Sequence, residues 1–557
     1  MTLPGIRLAT RLTASVSCAV LALSLCACTS EGGRTQGGDE DGVKPAAGSV
    51  AVFTPSDAIT LSGDAPINTW SAFVSALSDA LQERDVARKR IVASSSGDLD
   101  EQSRAVQDYV VDRMSDETVS DEELRATTLV VAPAYDDGAA ARYGGYASLP
   151  ASVDTAVDAD DASTDAEDST GEADDAAVAR LAASLNLASE RGMHVVLLSD
   201  TVDGVTPDAL VSMADAEAIG RIQARKLADK LDLDKTSTDN PKAIEVLIPV
   251  NGWQTADDDA GTGETDASGG SRSDDATSSD DASRTDDVQS EGTAGDDDDA
   301  RMSAAFAASL FKGVWSVLRP YFEDGKAFSP SGLIDADSTD GDWSSVAFAD
   351  DADAGDEIAR RLASDEEGMH TRIDGVIAMN DQAALQVAAS LEQLGYTGSA
   401  ADINPSITIS GIVENITGRR DLQRAAVPDP IRAPQADATD GDDVTDARRD
   451  LDEFNRRWPI VTGYGAYSSA MPGIVGGRQW MTALEDRIGL ADDTAAVCVA
   501  LNGGGSASDA GLASLGSRDV DGATVPLVER DLMAVSASNL KETLIDPGYI
   551  SLADAGL

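Results

Sequence analysis

Residues 50–53 read Val-Ala-Val-Phe, residues 90–93 read Arg-Ile-Val-Ala, and residues 129–132 read Leu-Val-Val-Ala. Short apolar runs of this kind are typical of strands buried on both faces of a sheet. Between the first two runs, apolar residues recur at helical spacing, and they are Trp70, Phe73, Val74, Leu77 and Leu81. Asp98 follows the second run and is predicted to cap the helix that begins after it. Strands that alternate with helices predict an α/β fold with a parallel sheet and right-handed crossovers.

The same alternation begins again in the second half of the chain. Helical spacing around Ile219 to Leu231 leads to an apolar run at residues 244–249, and further strands are predicted at residues 376–379 and 407–410. Two α/β units of similar size predict two lobes. Ligands of open α/β sheets bind at the carboxyl ends of the strands, so we expect a cleft between the lobes.

The charge of the chain excludes several classes of function. Its 557 residues contain 42 Lys and Arg against 99 Asp and Glu, which gives a net charge of −57. Binding to nucleic acid requires clustered basic side chains, so no nucleic-acid partner is expected. The sequence contains neither a P-loop nor the serine-hydrolase or zinc-protease motifs, so we expect no enzymatic activity and no cofactor.

The N-terminal stretch has the features of a secretory signal. Arg7 and Arg11 precede an apolar run that is too short to span a membrane comfortably. The run ends in Leu25-Cys26-Ala27-Cys28, the pattern of a bacterial lipobox. Residues 1–27 are therefore predicted to be a lipoprotein signal peptide, Cys28 the site of lipidation, and residues 28–47 a flexible tether. This places the protein on the outer face of the cytoplasmic membrane. The remaining thiol, Cys498, lies in the apolar run Val497 to Leu501, which has the pattern of a strand, and it is predicted to be buried.

Three acidic tracts interrupt the patterned sequence, at residues 153–175, 257–299 and 437–450. They lack aromatic residues, and their few apolar residues follow no period. Such segments bury too little apolar surface to offset chain entropy, and they are predicted to be disordered insertions.

Several segments resemble type I periplasmic binding proteins in that family's order. They include Ala93-Ser-Ser-Ser-Gly-Asp98, Arg191-Gly-Met-His-Val-Val196, Asp374-Gly-Val-Ile-Ala-Met-Asn-Asp381 and the tail Leu544-Ile-Asp-Pro-Gly-Tyr549, which is similar to the end of xylose and multiple-sugar-binding receptors. The resemblance implies two Rossmann-like lobes with parallel sheets, joined by a hinge of three segments. It assigns residues 48–203 and 466–522 to the first lobe and residues 204–465 and 523–557 to the second.

The resemblance also implies a function. It indicates a solute-binding lipoprotein of an ABC importer, which closes on a pentose or hexose and delivers it to a membrane permease. The alternative is a degenerate member of the same fold that acts as an envelope interaction or sensory protein without transporting sugar.

Five residues are carried over from the family as candidate ligand contacts. Four of them also have a structural interpretation: core packing for Trp70, a turn for Asp136, helix capping for Asp381, and packing rather than a hinge or cleft position for Tyr464. Asn380 completes the polar pair that follows a second-lobe strand.

Other polar contacts of the family are missing. Thr69 stands where an Arg is expected, Ser199-Asp200 where an Asp-Arg pair is expected, and Gly465 where a Lys is expected. Charge-assisted hydrogen bonds contribute about 1.5–3 kcal/mol each, so their loss favours either a different ligand or the degenerate alternative.

Overall fold

The computed structural model describes residues 48–57, 65–135, 171–213, 215–250, 294–349, 353–364, 368–401, 431–434 and 441–557. The strands in chain order are β1 (Ser49–Pro55), β2 (Ile91–Ser96), β3 (Thr127–Val131), β4 (His194–Leu198), β5 (Ala209–Val211), β6 (Lys242–Val246), β7 (Ile248–Val250), β8 (Ala327–Phe328), β9 (Ala347–Ala349), β10 (Gly375–Ile377), β11 (Ile460–Tyr464), β12 (Met481–Leu484), β13 (Leu515–Val520), β14 (Ala523–Val528) and β15 (Met533–Ser536). The helices are α1 (Trp70–Glu83), α2 (Leu99–Ser115), α3 (Asp121–Arg125), α4 (Gly171–Glu190), α5 (Ala216–Lys230), α6 (Ala294–Glu323), α7 (Ala354–Arg361), α8 (Asp381–Gln393), α9 (Gly441–Asn455), α10 (Met471–Gly476) and α11 (Arg487–Asn502).

The strands form two large sheets, one in each lobe. The first has the order β13-β14-β5-β4-β3-β1-β2, and the second has the order β15-β12-β11-β10-β6-β8. Pairing is parallel throughout, except that β13 pairs antiparallel with β14 and β15 pairs antiparallel with β12. The prediction of an α/β fold with two lobes and parallel sheets is confirmed.

The inner strands of the first sheet are buried on both faces, which explains why β1, β3, β4 and β5 are mostly apolar. Val50 and Val52 of β1 face a layer that contains α1 and α11. Ala51 and Phe53 face the opposite layer, which contains α2 and α4. Successive side chains of a strand point to opposite faces, so each face needs its own apolar set.

The second sheet is covered in the same way. Helices α5 and α6 pack on one face, and α7 and α8 pack on the other. Helices α5 and α6 approach closely at two glycines: a Cβ at Gly220 would collide with the Leu310 carbonyl, and a Cβ at Gly313 would collide with the Glu217 carbonyl.

Three crossings connect the lobes, and their positions correct the predicted lobe boundaries. The chain crosses between β5 and α5, then between β12 and α11 at residues 485–486, and then between β14 and β15 at residues 529–532. Residues 204–211 and 523–528 therefore belong to the first lobe, and residues 466–484 to the second. The resemblance rests on short segments that do not include the crossings, and apolar pattern identifies a strand but not its neighbour in a sheet, so neither gives the exact boundaries.

Each acidic tract ends inside a helix, contrary to the prediction of disorder over its whole length. Helices α4, α6 and α9 begin at Gly171, Ala294 and Gly441. Acidic residues favour the first turn of a helix because the helix dipole is positive there, so acidic composition did not exclude structure at these points. The other residues of the three tracts, and the strand predicted at residues 407–410, lie outside the described part of the chain.

One secondary-structure prediction is wrong, and one buried residue is confirmed. The apolar run Val497 to Leu501 resembles a strand in sequence but forms the last turns of α11. Helix α11 is buried on most sides, so its sequence shows no polar face and no helical period. Cys498 within this run is completely buried, as predicted. Among the described helices, none is long and apolar enough to cross a membrane.

Candidate functional site

The two lobes meet through the carboxyl ends of their strands. The segment that follows β1 reaches the second lobe, where the Asn68 side chain donates to the Glu485 carbonyl at 3.0 Å. Glu485 directly follows β12, and all three crossings leave the carboxyl ends of strands β5, β12 and β14. The edge at which α/β proteins bind ligands is therefore shared by both lobes.

A buried polar cluster lies at this junction. The Tyr464 hydroxyl, at the end of β11, donates to the Glu485 carboxylate, and Asn68 Nδ2 lies 3.5 Å from the other carboxylate oxygen. Tyr464 is completely buried, and Asn68 is 2% exposed. Burial raises the pKa of Tyr464 well above its ordinary value, and the negative charges of Glu485, Asp215 and Asp381 raise it further. The hydroxyl is therefore protonated and acts as a donor.

One atom of this cluster has no hydrogen-bond partner among the described residues. Asn68 Oδ1 is buried and unpaired, while its amide nitrogen is oriented by two contacts with Glu485. An unsatisfied buried acceptor costs about 1–3 kcal/mol, which a donated O–H or N–H would offset. Asn68 and Glu485 were not predicted from the sequence, because nothing in their local sequence distinguishes them.

Asn380 and Asp381 lie at the start of α8. The Asn380 side chain caps the helix by accepting from the Ala383 amide, so the capping role considered for Asp381 belongs to its neighbour. The Asp381 carboxylate is completely buried and accepts hydrogen bonds from Gln479 Nε2 at 2.6 Å, the Tyr467 amide at 3.0 Å and Thr482 Oγ1 at 2.9 Å. Burial raises the pKa of Asp381 to about 7, although the three donors oppose the shift.

Trp70 is the first residue of α1 and is 6% exposed. Its ring packs edge-to-face against Phe73 and belongs to the apolar layer between α1 and the first sheet. The backbone amide of Trp70 donates to the Asp57 carboxylate at 2.6 Å, so this carboxylate lies at the helix N-terminus.

Two predicted site residues fall outside the described residues, namely Asp136 and Cys28. The last described residue before Asp136 is Tyr135, whose hydroxyl donates to the Thr201 carbonyl and links the loops that follow β3 and β4. The structure thus brings Tyr464 and Asp381 to the same region of the second lobe and places Trp70 on the first lobe.

Strained backbone marks the same edge of the sheets. Ser199, Met379 and Ala466 have positive φ values of 66°, 64° and 51°, and they follow β4, β10 and β11. Residues other than glycine rarely adopt this conformation, and it persists where surrounding contacts enforce it, often at functional sites. Within the described ranges, no group of three or more His, Cys, Asp or Glu side chains could hold a metal ion.

No protein-family model and no curated protein matches this chain. Among solved structures, it is similar to an ABC transporter solute-binding protein from Clostridium phytofermentans with bound β-D-glucose, at 16% identity and a TM-score of 0.44, covering 91% of this chain and 99% of the other. It is also similar to a carbohydrate transporter solute-binding protein from Chloroflexus aurantiacus in complex with D-glucose, at 16% identity and a TM-score of 0.43, covering 91% and 97%. A third is an arabinose-binding protein from Geobacillus stearothermophilus, at 9% identity and a TM-score of 0.41, covering 89% and 100%.

Proposed function

We propose that this chain is an extracytoplasmic solute-binding protein of an ABC importer, which closes its two lobes on a small sugar and presents it to a membrane permease. The observation that supports this function most directly is the junction of two parallel sheets at their carboxyl ends, with three crossings at that junction. A solute held between the lobes contacts both of them only in the closed form, so binding favours closure.

The polar cluster supports a solute with hydroxyl groups. A sugar hydroxyl can donate to the unpaired Asn68 Oδ1 and accept from nearby donors. We include Trp70, Asp136, Asn380, Asp381 and Tyr464 among the proposed contacts, with Trp70 supplying an apolar ring and the others polar groups. No enzymatic role and no cofactor are proposed.

A second candidate is a protein of the same fold that senses or binds another envelope component. It is favoured by the bonds of Asn380, Asp381 and Tyr464, all of which are made within the second lobe or to the Glu485 crossing. Polar groups that already make hydrogen bonds within the protein have fewer donors and acceptors left to bind a sugar.

A thermal-shift screen of the full chain against pentoses, hexoses and inositols tests the proposed function. A ligand of the native state at 100 times its Kd stabilises the protein by about 2.7 kcal/mol, which raises Tm measurably. A well-folded protein with no shift for any sugar would contradict the first candidate and support the second.

The variant Tyr464→Phe tests whether the polar cluster binds the solute. It removes the hydroxyl that orients the Glu485 carboxylate. A hydrogen bond from the solute to that charged group would contribute about 1.5–3 kcal/mol, so its loss should lower affinity at least about tenfold. Tyr396→Phe is a matched control, because it removes another tyrosine hydroxyl, which is bonded to the Thr371 carbonyl within the second lobe. Equal affinities of the two variants in calorimetry would argue against a role for the cluster.

Membrane attachment is proposed to occur through a lipid on Cys28. Cells that express the full chain should incorporate a labelled fatty acid into it, and Cys28→Ser should abolish the label. Cys26→Ser is the matched control, because this cysteine lies two residues before the proposed acceptor. Label that persists in Cys28→Ser would contradict the proposal.

A further inference from the structure

A short segment of the first lobe, residues 65–68, docks on a loop of the second lobe, residues 466–468. The Ile67 amide donates to the Ala466 carbonyl at 3.1 Å, and the Ser468 amide donates to the Ala65 carbonyl at 3.3 Å. These bonds place Pro66 opposite Tyr467 as an antiparallel pair. Two backbone hydrogen bonds therefore join the lobes directly, in addition to the covalent crossings.

Ile67 extends this contact into the interior of the second lobe. It is 9% exposed and belongs to an apolar cluster with Tyr467, Met471 and Leu484. Every other buried member of that cluster in the described chain comes from residues 466–484 or 535–555. Separation of the lobes at this point would expose Ile67 and the surface that covers it, which is unfavourable in water.

The docked segment is also bonded to the central crossing. Arg487 Nη1 donates to the Ile67 carbonyl at 2.9 Å, next to the bond from Asn68 to the Glu485 carbonyl. Arg487 is 7% exposed. The segment is thus bonded on one side to the second lobe and on the other to residues 485–487.

The receiving loop is held in place by the second lobe itself. The Asp381 carboxylate accepts from the Tyr467 amide, and Thr482 Oγ1 accepts from the Ala466 amide while donating to Asp381. Ala466 has a positive φ of 51°. This support fixes the loop in a conformation that presents the Ala466 carbonyl to the Ile67 amide.

We propose that residues 65–68 form a latch that holds the two lobes together without a solute, with Ile67 and Asn68 as its positioning residues. The latch contacts involve only the protein, so this inference does not depend on the identity of the solute. A latched protein needs less reorganisation to bind, whereas loss of the latch makes the closed form less populated and lowers the apparent affinity by the same factor.

Hydrogen exchange of the ligand-free full chain tests the latch. The amides of Ile67 and Ser468 should exchange on the order of 100-fold more slowly than in an unstructured peptide, because each is bonded across the lobes. In Ile67→Ala, exchange of the amides at positions 67 and 468 should accelerate at least about tenfold relative to the amide of Val130 in the first sheet. In Ile67→Val, these two amides should keep most of their protection from exchange. Ile358→Ala is the matched control, since Ile358 is buried in a cluster of the second lobe alone.

Unprotected amides at Ile67 and Ser468 in the unmodified protein would overturn the latch. An unchanged ratio to Val130 in Ile67→Ala, or the same change in Ile358→Ala, would also overturn it. A blank sugar screen would leave these results unaffected, so failure of the proposed function can be distinguished from failure of the latch.

A disulfide provides a second, independent test. Pro66 and Tyr467 form a pair without hydrogen bonds between them, for which Cα atoms lie about 4.5 Å apart, within the range that a disulfide accepts. In Pro66→Cys/Tyr467→Cys, we expect a 66–467 disulfide under mild oxidation without solute, identified by peptide mass mapping. The control pair Pro66→Cys/Arg478→Cys should not form one, and equal yields from both pairs would overturn the latch.

Discussion

Replacement of Asp381 by Asn should change how stability depends on pH. The Asp381 carboxyl has a pKa of about 7 in the folded protein, compared with 3.8 for an ordinary Asp, because it is completely buried. Between these two values the folded chain retains a proton that the unfolded chain releases. The stability that this group contributes is therefore fully present below pH 3.8 and is lost as the pH rises to 7.

The magnitude follows from linkage between protonation and folding. With a folded pKa of about 7 and an unfolded pKa of 3.8, the contribution is about 2.7 kcal/mol at pH 5 and close to zero at pH 8. The Asn side chain does not titrate, and it offers a donor where the carboxylate accepts from the Tyr467 amide and Thr482. We expect Asp381→Asn to be less stable than the unmodified protein at pH 5, and this difference should shrink by about 2.5 kcal/mol at pH 8.

Urea unfolding of both proteins at pH 5 and pH 8 measures this difference, and titrations common to both proteins cancel. Asp116→Asn is a control without a pH effect in this range, because hydrogen bonds from Thr118 lower the pKa of Asp116 below its ordinary value of 3.8, so its contribution is constant between pH 5 and pH 8. If the difference for Asp381→Asn is constant, or grows from pH 5 to pH 8, Asp381 does not have a raised pKa in the folded protein.

Three further predictions concern the third crossing, the buried thiol and the aromatic core. Arg530→Ala removes ion pairs to Asp486 and to the nearly buried Asp493. It should lower the free energy of unfolding, measured in urea, by about 1–3 kcal/mol. This is less than for a fully buried ion pair, because a third of the Arg530 side chain is exposed. Cys498 should resist iodoacetamide in the native protein and react in urea, since burial raises its pKa to about 12. Equal rates of modification in the native protein and in urea would show that Cys498 is accessible in the native protein. Trp70→Ala should cost about 3–5 kcal/mol of stability because the ring is 6% exposed, and it should reduce sugar affinity about tenfold by calorimetry if the ring also contacts the solute.

Much of the secondary structure could be predicted because it depends on local pattern. The helix at Trp70–Glu83 follows from the spacing of its apolar residues, and Asp98 caps α2 as expected by accepting from the Glu101 amide. The error at Val497–Leu501 has a physical cause, since a helix packed on most sides needs no polar face. Local pattern is informative where an element has one solvated face, and it loses information as burial becomes complete.

The candidate site was harder to predict from the sequence than the secondary structure. Tyr464 and Asp381 were identified through the family resemblance, but Asn68 and Glu485 were missed, and these two residues are 417 positions apart. No local signal marks a residue whose role depends on such a distant partner.

The alternation of strands and helices, the duplication of the α/β unit and the burial of Cys498 can all be predicted from the sequence, because each depends on the periodicity or polarity of neighbouring residues. The sheets that β12 and β14 join, and therefore the points where the chain crosses between the lobes, follow from the folded structure alone. The same is true of the burial of Ile67 in the opposite lobe. Strand partners and contacts between lobes arise from the packing of distant segments, and the apolar pattern of a single segment is compatible with several such partners.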